Sequence, residues 1–137
     1  MGREPSIDRE RGVSLSAFTA VVVVALLLVA GLVVDGGQRA AAQRESEAVA
    51  AQAARVGVDA SSTAVVQGRT GGPAAVAAAR ASLRSQGRSG TVTLRPGGVI
   101  EVRVLHDSPT TFLSLIGIDR LPAGGQAAAR LRAAEPA

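Results

Sequence analysis

Cysteine, tryptophan, tyrosine and lysine are all missing from the 137-residue chain, and phenylalanine occurs only twice. Without cysteine there are neither disulfides nor thiolate metal sites, so the fold relies on packing alone. The one histidine, His106, is joined by no Gly-x-Ser-x-Gly elbow and no phosphate loop. One chain therefore cannot assemble a nucleophilic triad or a histidine-based metal centre, and no cofactor is expected. The scarcity of aromatics beside abundant alanine and glycine means that each buried residue removes little apolar area from water. Whatever core forms must lean on the membrane or on a partner for part of its stability. All 15 basic residues are arginine, against 11 acids, for a net charge of +4. These charges are scattered and lack interleaved aromatics, so the balance is only a weak pointer to anionic partners; no nucleic-acid partner is expected, and no small-molecule substrate is evident.

What is present is a long apolar run. Residues Val13 to Val34 carry no charge, proline or amide side chain and lie between Arg11 and Asp35. As a helix the run would measure roughly 33 Å, enough to cross a hydrocarbon core of about 30 Å. A buried core helix would show a polar face, and here apolar residues continue all the way round. The sequence thus predicts a cytoplasmic tail at 1–12 and a transmembrane helix at 13–34. Arg9 and Arg11 before the span favour an N-terminus in the cytoplasm and a C-terminal part outside it. A cleaved signal peptide is the alternative: its only Ala-x-Ala site, Ala40-Ala41-Ala42, lies beyond Asp35 and Arg39, and the apolar run exceeds the usual length.

Gly12, Ser16 and Ala20 recur at four-residue spacing and put small side chains in one row, which permits close helix approach in lipid. Asp35, Gly36 and Gly37 end the apolar run, and the glycine pair either hinges the helix or stops it. Gln38 to Val56 consists almost wholly of helix formers. Ala42, Ser46, Val49, Ala53 and Val56 form a narrow seam at spacings of four and three, predicting an exposed amphipathic helix over 35–56 that continues the span. Gly12, Ser16, Ala20, Ala42, Val49, Ala53 and Val56 are the candidate helix-packing residues.

Arg11-Gly12, an apolar run containing Phe18, then Gly31-Leu-Val-Val-Asp35-Gly36-Gly37 and an Arg-, Ala- and Gln-rich helix together resemble the N-terminal segment of TadE/TadG-like proteins of Flp (Tad) pilus assembly. The similarity covers roughly residues 9–57. It implies a pilin-like, single-pass component of the cell envelope secretion machinery, with other pilin-like or Tad assembly proteins as partners. Prepilins of the related type are cut after a glycine, which here would place cleavage between Gly12 and Val13. Phe18 matches the aromatic of that pattern, and Ala17 stands where it has glutamate.

Beyond Val56 the reading is a small extracytoplasmic α+β domain, 57–137, with one or two helices and an antiparallel sheet of two to four strands. Thr63 to Val66 reads as a short strand or ordered loop. Pro73 opens a helix that Gly87 closes, with Val76, Ala79 and Leu83 inward and Arg80, Arg84 and Arg88 as a solvated outer stripe. Thr91–Arg95 and Val99–Leu105 alternate at period two around Pro96-Gly97-Gly98, a β-hairpin. Ser108 would cap a short helix, Pro109 to Ile116, ended by Gly117. Its residues Phe112, Leu113, Leu115 and Ile116 either seal the core or touch the membrane surface. Gly125 to Arg132 supplies a third strand, and the order of strand, break, PTTFL, Gly-Ile-Asp and strand again resembles the C-terminal part of some TadE/TadG-like proteins. Asp107 beside His106 has the residue types of acid–base chemistry, yet two polar neighbours at a strand end read more simply as a turn, and no enzyme is expected. The functional expectation is a non-enzymatic, pilin-like membrane protein working through helix packing. The alternatives are a membrane-anchored interaction or regulatory module unrelated to pili, or a secreted protein.

Overall fold

The structure, a computed structural model, describes residues 7–131, with side chains from residue 15 onward. It is an α+β chain dominated by one helix, α1, Ile7–Val66. At 60 residues α1 is about 90 Å long. Gly36 and Gly37 neither hinge nor stop it, and both stay on its open side with nothing within 4 Å of where a Cβ would be. The helix also passes the expected boundary at Val56 and ends ten residues later, so Thr63 to Val66 is its last turn rather than a strand. Gly68, at φ +72°, closes it: Arg69 N–H reaches Ala64 O at 2.8 Å and Gly68 N–H reaches Val65 O at 2.9 Å. This six-to-one, five-to-two pair satisfies carbonyls that the helix end leaves open.

A second helix, α2, Gly71–Ser85, folds back antiparallel on α1, and Gly87 terminates it as expected. Its buried residues are Ala75, Ala79 and Leu83, with Val76 half-buried. The strands follow: β1, Ser89–Arg95; β2, Val99–Leu105; β3, Asp107–Pro109; β4, Arg120–Pro122; and β5, Gly125–Arg130. The three-stranded antiparallel sheet has the order β1-β2-β5, and β3 and β4 form a separate two-stranded ribbon. The expected hairpin is β1 and β2, and the alanine-rich third strand is β5, paired with β2 from Val99↔Arg130 to Val104↔Gly125.

One face of this sheet lies against both helices, with α1 over β5 and β2 and α2 over β1. Period-two alternation turns Ile100, Val102 and Val104 inward, where they are fully buried, and Val102 pairs with Val92 on one side and Ala127 on the other. The helices answer with Ala50, Ala53, Ala54, Ala75, Ala79 and Leu83. Few large side chains are available, so the backbones come close instead. A Cβ at Gly125 would collide with the backbone of Ser46 and Glu47, because β5 lies directly on α1 there.

The buried face of α1 recurs as Gly31, Ala42, Ala53, Ala64 and as Asp35, Ser46, Gly57, with Ala42 half-buried and the rest buried. That is a repeat of about 11 residues, close enough to the natural helical pitch to stay on one face of a straight helix. The expected seam assumed alternating steps of four and three, which drift round such a helix by about 20° every seven residues. It therefore includes Val56, which is 37 % exposed, in place of its buried neighbour Gly57.

Candidate functional site

The first 20 residues of α1 with described side chains, 15–34, and the rest of the helix have different surroundings. In the apolar stretch, Leu15, Phe18, Leu26, Leu27, Leu28 and Val33 are each exposed by more than 60 %. This helix is long and apolar enough to cross a membrane. From Gly31 onward one side of α1 is covered by the chain's own head.

The junction between the two is built on Gly31, Asp35 and Arg39, one helical turn apart on one face. Asp35 is 2 % exposed, and its carboxylate accepts three backbone N–H bonds from the segment after β3. Thr111 N–H donates at 2.8 Å, Phe112 N–H at 3.0 Å and Leu113 N–H at 2.7 Å. These amides open a single 3₁₀ turn, Leu113–Ile116, which leaves such donors without partners of its own. Burial works to raise the pKa of the Asp35 carboxyl. The bonds from Leu113, Thr111 and Phe112 outweigh it and hold the pKa below the ordinary 3.8.

One turn toward the N-terminus, Phe112 packs against Gly31 so tightly that a Cβ there would meet its Cβ and Cγ at 2.7 Å. One turn the other way, Arg39 Nε donates to Pro122 O on β4 at 3.0 Å. A fourth tie holds the base of the ribbon: Arg88 pairs with Glu45 of α1, and its second amino group donates to His106 Nδ1 at 3.0 Å. The ribbon is thus strapped along roughly 20 Å of α1, between Gly31 and Glu45.

These ties revise several expectations. Ser108 does not cap a helix over Pro109 to Ile116. It is buried on β3 opposite Leu121, and the cap comes from Asp35, more than seventy residues earlier in the chain. Gly117 does end the turn, at φ +86°. Arg88 leaves the basic stripe, because α2 has already ended at Ser85 and the side chain is bound to Glu45 and His106. Arg80 reaches back to Val92 O at 3.5 Å. Phe112, Leu115 and Ile116 do not seal the core; they are exposed by 42, 82 and 67 %.

The candidate packing residues divide. Ser16 and Ala20 are exposed on the apolar stretch. Ala53 is fully buried, and Val49 and Ala42 are half-buried. Sheet and second helix fill that part of the seam from within the same chain, so the structure does not bring it together with the Ser16 row. The surroundings of Gly12 and Val13 lie outside the described side chains.

An open cleft of about 410 Å3 lies beside the ribbon, rimmed by Gln43, Glu47, His106, Asp107 and Gln126. Its imidazole is already held by Arg88. Among the described residues no three His, Asp or Glu side chains converge as metal ligands.

Sequence reasoning took Asp35 as the end of the apolar run and missed it as an anchor. The signal available was its spacing: a small residue four before it and a cation four after it, Gly31-x3-Asp35-x3-Arg39, put three unlike groups on one stripe. No family model, curated protein or solved structure matches this chain.

Proposed function

We propose that the chain is a single-pass, non-enzymatic membrane protein of pilin-like type, a TadE/TadG-like component of Flp (Tad) pilus assembly. It acts by packing its apolar helix against other membrane helices. The observation that carries this reading is the division of α1. One unbroken helix leaves its apolar part uncovered on all sides over residues 15–30, while from Gly31 onward one side of it is built into a compact head. Apolar side chains exposed all round are at home in hydrocarbon and costly in water. Ser16 and Ala20 on the uncovered stretch, continuing the row from Gly12, offer other helices a place for close approach. Resemblance at residues 9–57 adds the pilin-like identity.

The structure also supports a retained helix over a secreted form. Cleavage after Ala42 would remove Gly31, Asp35 and Arg39 and so break three of the four ties between the ribbon and α1, leaving only Glu45 with Arg88. One observation favours the anchored interaction module as a second reading: the seam from Ala42 to Ala53 is already filled by the chain's own sheet. Under that reading the head displays a surface to an unrelated partner and the helix only anchors it.

Intact mass of the protein from native membranes distinguishes these forms. Loss of residues 1–12 supports prepilin-type processing, an uncut chain supports a retained anchor, and loss near Ala42 contradicts the membrane reading. Reporter fusions after Ala137 should be active only outside the cytoplasm; cytoplasmic activity would overturn the orientation drawn from Arg9 and Arg11.

A further inference from the structure

Resting on the membrane reading above, we propose that the turn Phe112–Ile118 is a lipid-inserted finger, held by Asp35 beside the span so that the head contacts the outer-leaflet hydrocarbon at a second point. Its occupant is the acyl-chain region of the bilayer, not another protein.

Four apolar side chains cluster on this turn and stay exposed: Phe112 by 42 %, Leu115 by 82 %, Ile116 by 67 % and Ile118 by 41 %. In a chain with two phenylalanines and small residues through most of its core, leaving its bulkiest cluster outside has no account in the fold itself. Its position supplies one. Phe112 packs on Gly31, which lies inside the apolar run, about one helical turn short of its end at Val34. The exposed patch is therefore continuous with the uncovered apolar surface of α1 and begins below the level at which that surface meets water.

The rest of the finger is built to hold that depth. Asp35 satisfies the amides of Thr111, Phe112 and Leu113 at the start of the turn, which lowers the cost of seating that backbone beside hydrocarbon. The turn closes on itself: Ile118 N–H reaches Leu113 O at 3.0 Å, Ser114 Oγ donates to Thr111 O at 2.7 Å, and Thr110 Oγ1 donates to Ile118 O. Charged residues lie on the head side of the finger. Arg39 on α1 and Asp119 and Arg120 at the start of β4 are exposed, where headgroups and water would meet them. An apolar tip below a charged collar is the pattern of an interfacial segment.

Because the chain has no cysteine, single-cysteine labelling needs no background substitutions. Leu115→Cys, Ile116→Cys, Leu27→Cys and Thr93→Cys, all at exposed positions, would each carry an environment-sensitive fluorophore in the full-length protein. The proteins are reconstituted in phosphatidylcholine vesicles with or without acyl-chain nitroxide lipids, and iodide serves as the aqueous quencher. Interfacial segments seat their apolar side ~5–10 Å below the headgroups, so nitroxide quenching at 115 and 116 should exceed that at 93 by about threefold or more. Gly31→Leu, which drives Phe112 away, should return both labels toward the value at 93.

If 115 and 116 respond to iodide as 93 does while 27 is quenched by nitroxide, the span stands and the finger is overturned. Shielding of 115 and 116 from both quenchers would mean that protein covers the turn, which also overturns it. If 27 is not quenched by nitroxide, the membrane reading itself has failed.

Discussion

Ile100 is the largest fully buried side chain of the head, and Ile100→Ala is the substitution whose cost follows most directly from its surroundings. It sits on the central strand β2, between Leu94 and Ala129 across the sheet, and its Cδ1 lies 2.8 Å from where a Cβ at Gly57 would be. Removing three carbons forfeits about 2.4 kcal/mol of transfer free energy at about 0.8 kcal/mol per methylene. A cavity adds to this where the walls cannot move in. Here the wall includes Gly57 and neighbouring Ala75 and Ala79, small residues on helices already in close contact, so collapse would require two helices and a sheet to shift. The total should fall in the middle of the usual 2–5 kcal/mol for such a truncation, about 3–4 kcal/mol. Domains hold roughly 0.05–0.15 kcal/mol per residue, so this is a large share of the head's stability. At about 4–8 °C per kcal/mol for a domain of this size, melting should drop by roughly 12–30 °C. Urea denaturation of the full chain in mild detergent, followed by circular dichroism, reads both midpoint and slope. Ile100→Val should cost about 1 kcal/mol in the same assay. A loss below about 1 kcal/mol for Ile100→Ala at unchanged slope would show that the core is not closed around this side chain.

Asp35 gives the head a dependence on pH of known sign. Its folded-state pKa is depressed, so its contribution is present above the ordinary value of 3.8 and is lost as pH falls through the folded value. Asp35→Asn should lower the melting temperature near neutrality and approach the parent protein in strong acid; a difference that does not narrow with acid would contradict the assignment. Glu101, its pKa also lowered by the Arg95 hydrogen bond and ion pair, titrates with the same sign in both proteins and drops out of the comparison. Truncation tests where the head begins. Residues 38–137 keep Ala50, Ala53 and Ala54 and should unfold cooperatively, whereas 57–137 lose that face of the core and should not; a cooperative melt of the shorter fragment as a monomer would refute this.

The elements that local chemistry decides were legible in the sequence. The hairpin followed from alternation around Pro96-Gly97-Gly98, α2 from Pro73 and Gly87, and β5 from position despite its alanines. The end of α1 was hidden because Gly57, a turn signal in isolation, is in place for close packing, and the tertiary contacts override its local preference. The apolar seam departs from the buried face because a glycine does not register as apolar, although Gly57 is buried and Val56 is not. The spacing Gly31-x3-Asp35-x3-Arg39 marks a stripe on α1, but the groups that Asp35 caps leave no local signal. Its partners, Thr111, Phe112 and Leu113, offer backbone amides whose identity leaves no trace in residue type. What could be seen was a carboxylate at the end of an apolar run, which is also where any span would end.

Helix packing in the membrane requires that the uncovered stretch of α1 meet other helices. Ser16→Cys, Ala20→Cys and Phe18→Cys, introduced singly into the full chain in its native membrane, place a thiol on the small-residue row or nearly opposite it. Crosslinked homo- or hetero-oligomers should form through 16 and 20, markedly fewer through 18, and the Ala20 crosslink should be lost when Ser16→Leu is added. Equal yields at all three positions, or none at 16 and 20, would contradict helix packing and leave the helix as an anchor alone.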